Sequence, residues 1–263
     1  MICKEFGDKN APTVMLLHGG GLSWWSCRDA AEMLKEQFHV VIPILDGHAG
    51  SDRHFTSIED NAAELISAID EKFGGKVKAI GGLSLGGQIL LEMLSQRKAI
   101  CETAFVESAA VIPSKMMAAM LKPSVRASYG LIKKPWFSRA QFKSLKIKDE
   151  LYEDYYRDTC KISKEDMAAF LTANQSYALK DDVKHTSAKV YVFAGTKEIG
   201  QIKRSAELIH KCIPNSVLEM SDGLYHGQFS INNGEEYAKR MIGCIKAKEE
   251  QNALDKDKTQ AGK

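Results

Sequence analysis

Short apolar runs alternate with longer amphipathic segments along most of this chain, and that alternation restricts its fold more than any other feature. "TVMLLHG" (13–19), "HVVIPIL" (39–45), "VKAIGGLS" (77–84), "ETAFVESA" (102–109), "AKVYVFAG" (188–195) and "SVLEMSD" (216–222) read as buried strands. Helical spacing falls between them over 27–37, 57–73, 86–97 and 200–212, and after the last strand over 231–247. The 57–73 segment opens on Ser57 as a cap, with an acidic first turn. Strands that are apolar throughout and separated by helices pair in parallel, with both faces covered. Right-handed crossovers then make the sheet doubly wound, an α/β fold. In such a sheet, chemistry collects at the carboxyl ends of the strands.

One interval breaks the pattern. Residues 112–187 have helix-like pieces and no convincing buried strand, so they form an insertion between two strands, placed to cap the carboxyl edge. It carries Met116, Met117, Met120, Tyr129, Trp136, Phe137, Phe142, Tyr152, Tyr155, Tyr156 and Phe170, most of which should make its own small core. The expected organisation is a core of residues 1–111 and 188–247, a helical cap over 112–187, and a polar tail over 248–263 that frays into disorder.

Charge excludes some partners. With 36 basic and 34 acidic residues, net +2, and lysines scattered along the chain, there is no footprint for a nucleic acid. No apolar run approaches the roughly eighteen residues that span a bilayer. The start, "MICKEFGDKNAP", carries early charges and no apolar core of a secretory signal. Six cysteines lie far apart with none at CxxC spacing, as expected of reduced thiols. The expectation is a soluble cytoplasmic protein.

The candidate chemistry centres on "GLSLG" (82–86), a serine between glycines, after a strand and before a helix. A tight strand-to-helix turn has no room for bulky neighbours and pushes its serine outward, so Ser84 is the candidate nucleophile. A hydroxyl needs a base. Of seven histidines, His226 in "DGLYHGQF" follows the last strand and stands at the carboxyl edge. The base needs an acid to orient it. Glu198, three residues past the strand ending at Gly195, is the first choice, and Glu107, at the end of "FVES", is the rival. "LLHGGGLSWW" (16–25) ends the first buried strand in three glycines. Backbone N–H groups of Gly20 and Leu85 are the candidate oxyanion donors, with Gly21 as the alternative. His18 is expected to brace this loop. Gly21 and Trp24 are expected to line a pocket, while helix packing is an equal expectation for one of the two tryptophans, Trp24 and Trp25. Asp46, His48, Asp52 and His54 lie close in "DGHAGSDRH" (46–54), but no tight histidine or cysteine pair accompanies them, and no metal site is read there.

Taken together, "HGGG", "DGHAGSD", "GLSLG", the turn Gly195–Glu198 and "YHG" (225–227) occur in an order that resembles the α/β-hydrolase superfamily over the whole length. Ala49 stands where that family's GHGxS loop has a second glycine, and Glu198 where aspartate is commoner. The resemblance implies a mostly parallel sheet with abbreviated antiparallel strands at its start and a helical cap after the sixth family strand. It also implies a Ser-His-Glu triad acting on small to medium carboxylic esters without a cofactor. The aromatic and methionine content of the cap favours an apolar acyl or aromatic ester. A C–C bond hydrolase or lyase on the same triad stays open, as does a ligand receptor built on the hydrolase fold.

Overall fold

The computed structural model describes the backbone of residues 1–261 and the side chains of residues 1–254. Seven strands form one sheet: β1 (Cys3–Phe6), β2 (Thr13–Leu17), β3 (His39–Pro43), β4 (Val77–Leu83), β5 (Cys101–Glu107), β6 (Lys189–Gly195) and β7 (Ser216–Ser221), in the order β1-β3-β2-β4-β5-β6-β7. All pairings are parallel except β1 with β3. The six expected strands are present. β1 is the addition: four half-exposed residues on the sheet edge, two of them charged, too short and polar to show as an apolar run.

Period-two alternation divides each strand between two cores. Val14 and Leu16 of β2, with Val40 and Ile42 of β3, face Ala31, Leu34, Tyr237 and Met241. Met15, Leu17 and Val41 face the opposite way, onto Leu65, Ile69, Leu90 and Leu94. The first face is covered by α1 (Arg28–Leu34) and the final helix, the second by α2 (Ile58–Phe73) and α3 (Leu85–Gln96). Helix α2 is capped as its sequence indicates: Ser57 Oγ accepts from Asp60 N at 3.0 Å, and Gly74 ends it in a left-handed conformation.

Between β5 and β6 the chain is helical, with α4 (Lys115–Ile132), α5 (Pro135–Leu145), α6 (Tyr152–Thr159) and α7 (Lys164–Ser176) and no strand. Phe142, Tyr152 and Tyr155 bury themselves with Leu22, Trp25 and Leu83 of the sheet side, and Phe170 joins the core under α3. Met116, Met117, Met120 and Trp136, expected as interior residues, are exposed on α4 and α5. Buried polar pairs fix the insertion: Trp25 Nε1 donates to Asp158 at 3.0 Å, and Phe55 N donates to Asp166 at 2.8 Å.

After β6 come α8 (Gly200–Cys212), β7 and the short α9 (Gln228–Asn232), and α10 occupies Gly234–Ala261. The helix expected over 231–247 is covered by α9 and α10, and α10 runs on through part of the polar stretch to Ala261; residues 262–263 of the expected tail lie outside the described residues. No helix among the described residues is long and apolar enough to cross a membrane.

Sheet order locates the site. From β2 the chain moves outward to β3, then returns to β4 on the other side of β2. The connections leaving β2 and β4 therefore diverge, which opens a crevice at their carboxyl ends.

Candidate active site

Ser84 sits in that crevice, between β4 and α3, with φ 54° and ψ −112°. A side chain in this backbone region is strained and persists only when its surroundings hold it. Close backbone approach supplies the hold. A Cβ on Gly82 would lie 2.4 Å from the Gly86 carbonyl oxygen, and one on Gly86 would lie 2.3 Å from that of Leu17. Both glycines are thus steric requirements of the turn. Ser84 N donates to the Glu107 carbonyl at 2.8 Å, which ties the turn to β5. The Leu85 N–H, first in α3, is one of the helix's unsatisfied donors and points where the dipole favours negative charge.

His226 Nδ1–H donates to Glu198 Oε2 at 2.9 Å, so the structure pairs the expected base with the first-choice acid. Glu198 Oε1 accepts from Gly195 N at 2.9 Å and from Ser108 Oγ at 2.8 Å. Burial alone would raise this carboxyl. The hydrogen bond and charge of His226, with those two donors, hold it below the usual carboxylate range. Gly195 lets the two loops meet, because a Cβ there would lie 2.1 Å from the Leu224 carbonyl oxygen. Lys197 N donates to that same carbonyl at 3.1 Å, locking the Glu198 loop to the His226 loop.

Glu107, the rival acid, lies behind this pair. It is 2% exposed, Oε1 accepts from Ser230 N at 3.3 Å, and Oε2 has no partner. Burial pushes its carboxyl up to about 7.

Two buried histidines shape the glycine loop. His18 Nδ1–H donates to the Gly19 carbonyl at 2.9 Å while its Nε2 accepts from Leu45 N at 3.2 Å. His48 Nδ1–H donates to the Asp46 carbonyl at 3.0 Å while its Nε2 accepts from Gly21 N at 2.9 Å. Each thus bridges the loop after β2 to the loop after β3. Burial, with the neighbouring His48 adding to it, pulls His18 down to about 3, and burial pulls His48 to about 4, so both are neutral braces. Phe170 of the insertion stacks on His48, with ring centroids 4.5 Å apart.

Ser84, Glu198, His226 and Gly20 all line one cavity of about 370 Å³. Leu22, Leu83, Ile202 and Ile231 supply apolar wall, and Leu145, Lys146, Ile147, Asn174 and Gln175 reach in from the helical insertion. Among the described residues no hydrogen bond joins Ser84 Oγ to His226; they share the cavity wall. Among the described residues the Gly20 N–H has no hydrogen-bond acceptor, whereas that of Gly21 is taken by His48.

Two pocket expectations are corrected. Gly21 is not among the residues lining the cavity, and its N–H is spent on His48. Trp24 is on the other side of the loop, because a 3-10 turn over Trp24–Cys27 directs it toward β1. There its ring meets Phe6 at 6.3 Å between centroids and lies 5.2 Å from Lys4 Nζ and 5.1 Å from the Arg28 guanidinium. Trp25 is the buried packing residue. In the 46–54 segment, Arg53 bonds Asp46, and His54, exposed, bonds Asp166. Ser108 was not singled out from sequence, yet its hydroxyl carries Glu198; its only signal was its place directly after Glu107 at a strand end.

A profile of the alpha/beta hydrolase family matches residues 14–214, and the chain belongs to that family. No curated protein matches the sequence. Among solved structures, a thermophilic esterase from Thermogutta terrifontis, with malate bound, is 17% identical at a TM-score of 0.77, covering 94% of this chain and 93% of that one. An enol-lactonase from Burkholderia xenovorans LB400 is 15% identical at 0.75, over 92% and 95%. A bromoperoxidase from Bacillus anthracis is 15% identical at 0.79, over 93% and 94%. At such identities the likeness is one of fold.

Proposed function

We propose that this chain is a serine hydrolase that cleaves small to medium carboxylic esters through Ser84, His226 and Glu198. The observation that carries the reading is the Glu198–His226 hydrogen bond at 2.9 Å, facing a strained Ser84 across one cavity. The pairing leaves His226 Nε2 unprotonated and able to take the Ser84 proton as Oγ attacks the ester carbonyl. The N–H groups of Gly20 and Leu85 receive the oxyanion. Protonated His226 then gives its proton to the leaving alkoxide, and an acyl-Ser84 ester remains. Water entering from the solvent side loses a proton to His226 as it attacks the acyl carbon; the acyl–Oγ bond then breaks, His226 returns that proton to Ser84 Oγ, and the acid leaves. Glu198 stays ionised throughout and holds the imidazolium by charge. The helical insertion covers the cavity as a cap, and the reaction draws only on protein groups and water.

Hydrolysis of p-nitrophenyl esters, from acetate to a long acyl chain, tests the reading against Ser84→Ala. Turnover by the wild type and none by a folded Ser84→Ala is the expected result. Equal turnover by the variant would discard Ser84 as nucleophile. A folded wild type inert on every ester would discard the ester reading.

A further inference from the structure

The cavity rim is electropositive. Its lining holds two cations, Lys146 and Lys197, and one carboxylate, Glu198, whose oxygens are already engaged by His226, Ser108 and Gly195. Among the described residues neither ammonium has a carboxylate within ion-pair distance. By contrast, Lys148 pairs with Asp29 and Arg28 with Asp154, while Lys203 Nζ donates to the Thr196 carbonyl. Instead, the two lysines share one aromatic ring. Lys146 Nζ lies 3.3 Å from the Tyr225 centroid and Lys197 Nζ 5.6 Å from it. The negative face of the ring tolerates both cations but leaves their charge unspent.

Chain placement brings them there. Lys197 immediately precedes Glu198, and Tyr225 immediately precedes His226, so the loops that present acid and base also present the rim. Lys146 comes from the insertion and caps α5 in a left-handed conformation, φ 57° and ψ 29°. Glycine is the usual residue at such a cap, because a Cβ is strained there. The lysine is held in place through its carbonyl, which accepts from Gln228 and Asn232, just beyond His226. A strained lysine where glycine would fit more easily, aimed onto a ring beside the candidate base, marks a functional side chain.

We propose that this site takes esters bearing an anionic oxyacid group (carboxylate, phosphate or sulfate) beyond an apolar stretch, and that Lys146 and Lys197 on Tyr225 bind that group. The inference rests on the proposed ester hydrolysis and narrows its substrate class. The apolar walls still take the middle of the substrate.

The test compares p-nitrophenyl monoesters of succinate, glutarate and adipate with neutral isosteres of equal length, such as the 5-methylhexanoate for glutarate. In the wild type at least one anionic ester should exceed its isostere in kcat/KM. The double variant Lys146→Gln, Lys197→Gln should lower that ratio about tenfold, through KM, as two partly exposed ion pairs lost together would. Lys146→Arg with Lys197→Arg should restore it, and raising the salt should shrink it. Neutral esters preferred at every length, or a ratio unmoved by the double variant, would overturn the proposal. Calorimetric binding of the glutarate monoester to Ser84→Ala separates this failure from that of the ester reading. Charge-dependent binding by a chain that turns over no ester keeps the cationic rim and removes the esterase. Turnover without charge preference does the reverse.

Discussion

Replacing Glu107 by glutamine isolates what it costs to hold a carboxyl group behind the nucleophile. Glu107 closes β5, is almost wholly buried, and makes one 3.3 Å hydrogen bond from Ser230 N while its second oxygen has none. Burial pushes its carboxyl from 4.5 up to about 7; Ser230 and His226 oppose the rise, and Glu198 adds to it. Cys27 and Tyr237 also face it, but burial raises both and they stay neutral. Below pH 4.5 Glu107 is protonated whether the chain is folded or not. Between 4.5 and about 7 the unfolded chain releases the proton and the folded chain keeps it, so stability falls as pH rises. At 1.36 kcal/mol per unit of pKa, the loss is about 3 kcal/mol by pH 8. Glutamine keeps the shape and cannot ionise. Urea unfolding of wild type and Glu107→Gln from pH 4.5 to 8 should therefore give a difference that moves in favour of the variant by about 3 kcal/mol. His18 and His48 tilt each protein the other way: depressed by burial, they stabilise the fold fully above pH 6.5 and lose that contribution as pH falls. Both proteins contain them, so they cancel in the difference. A flat difference would refute the reasoning, and a variant that weakens at high pH would mean that Glu107 is ionised and paired.

Gly86→Ala drives a Cβ into the Leu17 carbonyl and should cost about 3 kcal/mol or more, read as a lowered urea midpoint. Glu198→Gln should leave the fold intact and cut kcat on p-nitrophenyl esters by about 10³–10⁴-fold, because an amide neither fixes the tautomer nor stabilises the imidazolium. His48→Ala strands the Gly21 N–H and should cost about 1–3 kcal/mol in urea unfolding while lowering kcat, since Gly20 is the adjacent residue.

The sheet was legible because the strands β2 to β6 are largely apolar and all six parallel strands are separated by helices of ordinary length. β1 was not, because an edge strand with Lys4 and Glu5 buries too little to be told from a loop. Ser84, Glu198 and His226 were singled out from their chain order at strand ends, and the fold brings these three candidates to one cavity, with Glu198 bonded to His226. Trp24 was misread because adjacent residues in a 3-10 turn face different ways, and sequence does not say which of two tryptophans turns inward. The exposure of Met116, Met117 and Met120 was hidden for a related reason: helical spacing marks an apolar face but not what, if anything, packs on it. The lysine rim was invisible because Lys146 and Lys197 are 51 residues apart in a chain with lysine throughout, and only the fold sets both on Tyr225.

Backbone strain gives the site a further coherence. Among the described residues three other than glycine have positive φ: Ser84, Ser108 and Lys146. Ser84 faces the cavity as the candidate nucleophile, the Ser108 hydroxyl holds Glu198, and Lys146 stands on the rim. Each is a place where glycine would be easier on the backbone, at about 1–2 kcal/mol apiece. A fold selected for stability alone would relax such positions or scatter them. Here they gather about one cavity: Ser84, after β4, and Lys146, from the insertion, line it, and Ser108, after β5, stands behind Glu198, three segments that no local sequence preference brings together. The rigid surroundings are what make the strain tolerable: Ser84 is gripped by Gly82, Gly86 and the Glu107 carbonyl, Ser108 N donates to the Phe193 carbonyl at 3.0 Å, and Lys146 is clamped by Gln228 and Asn232. The sheet and its two cores thus supply the stability that the cavity spends, and the side chains placed there are the ones proposed as nucleophile, as support for its acid and as cation for its substrate.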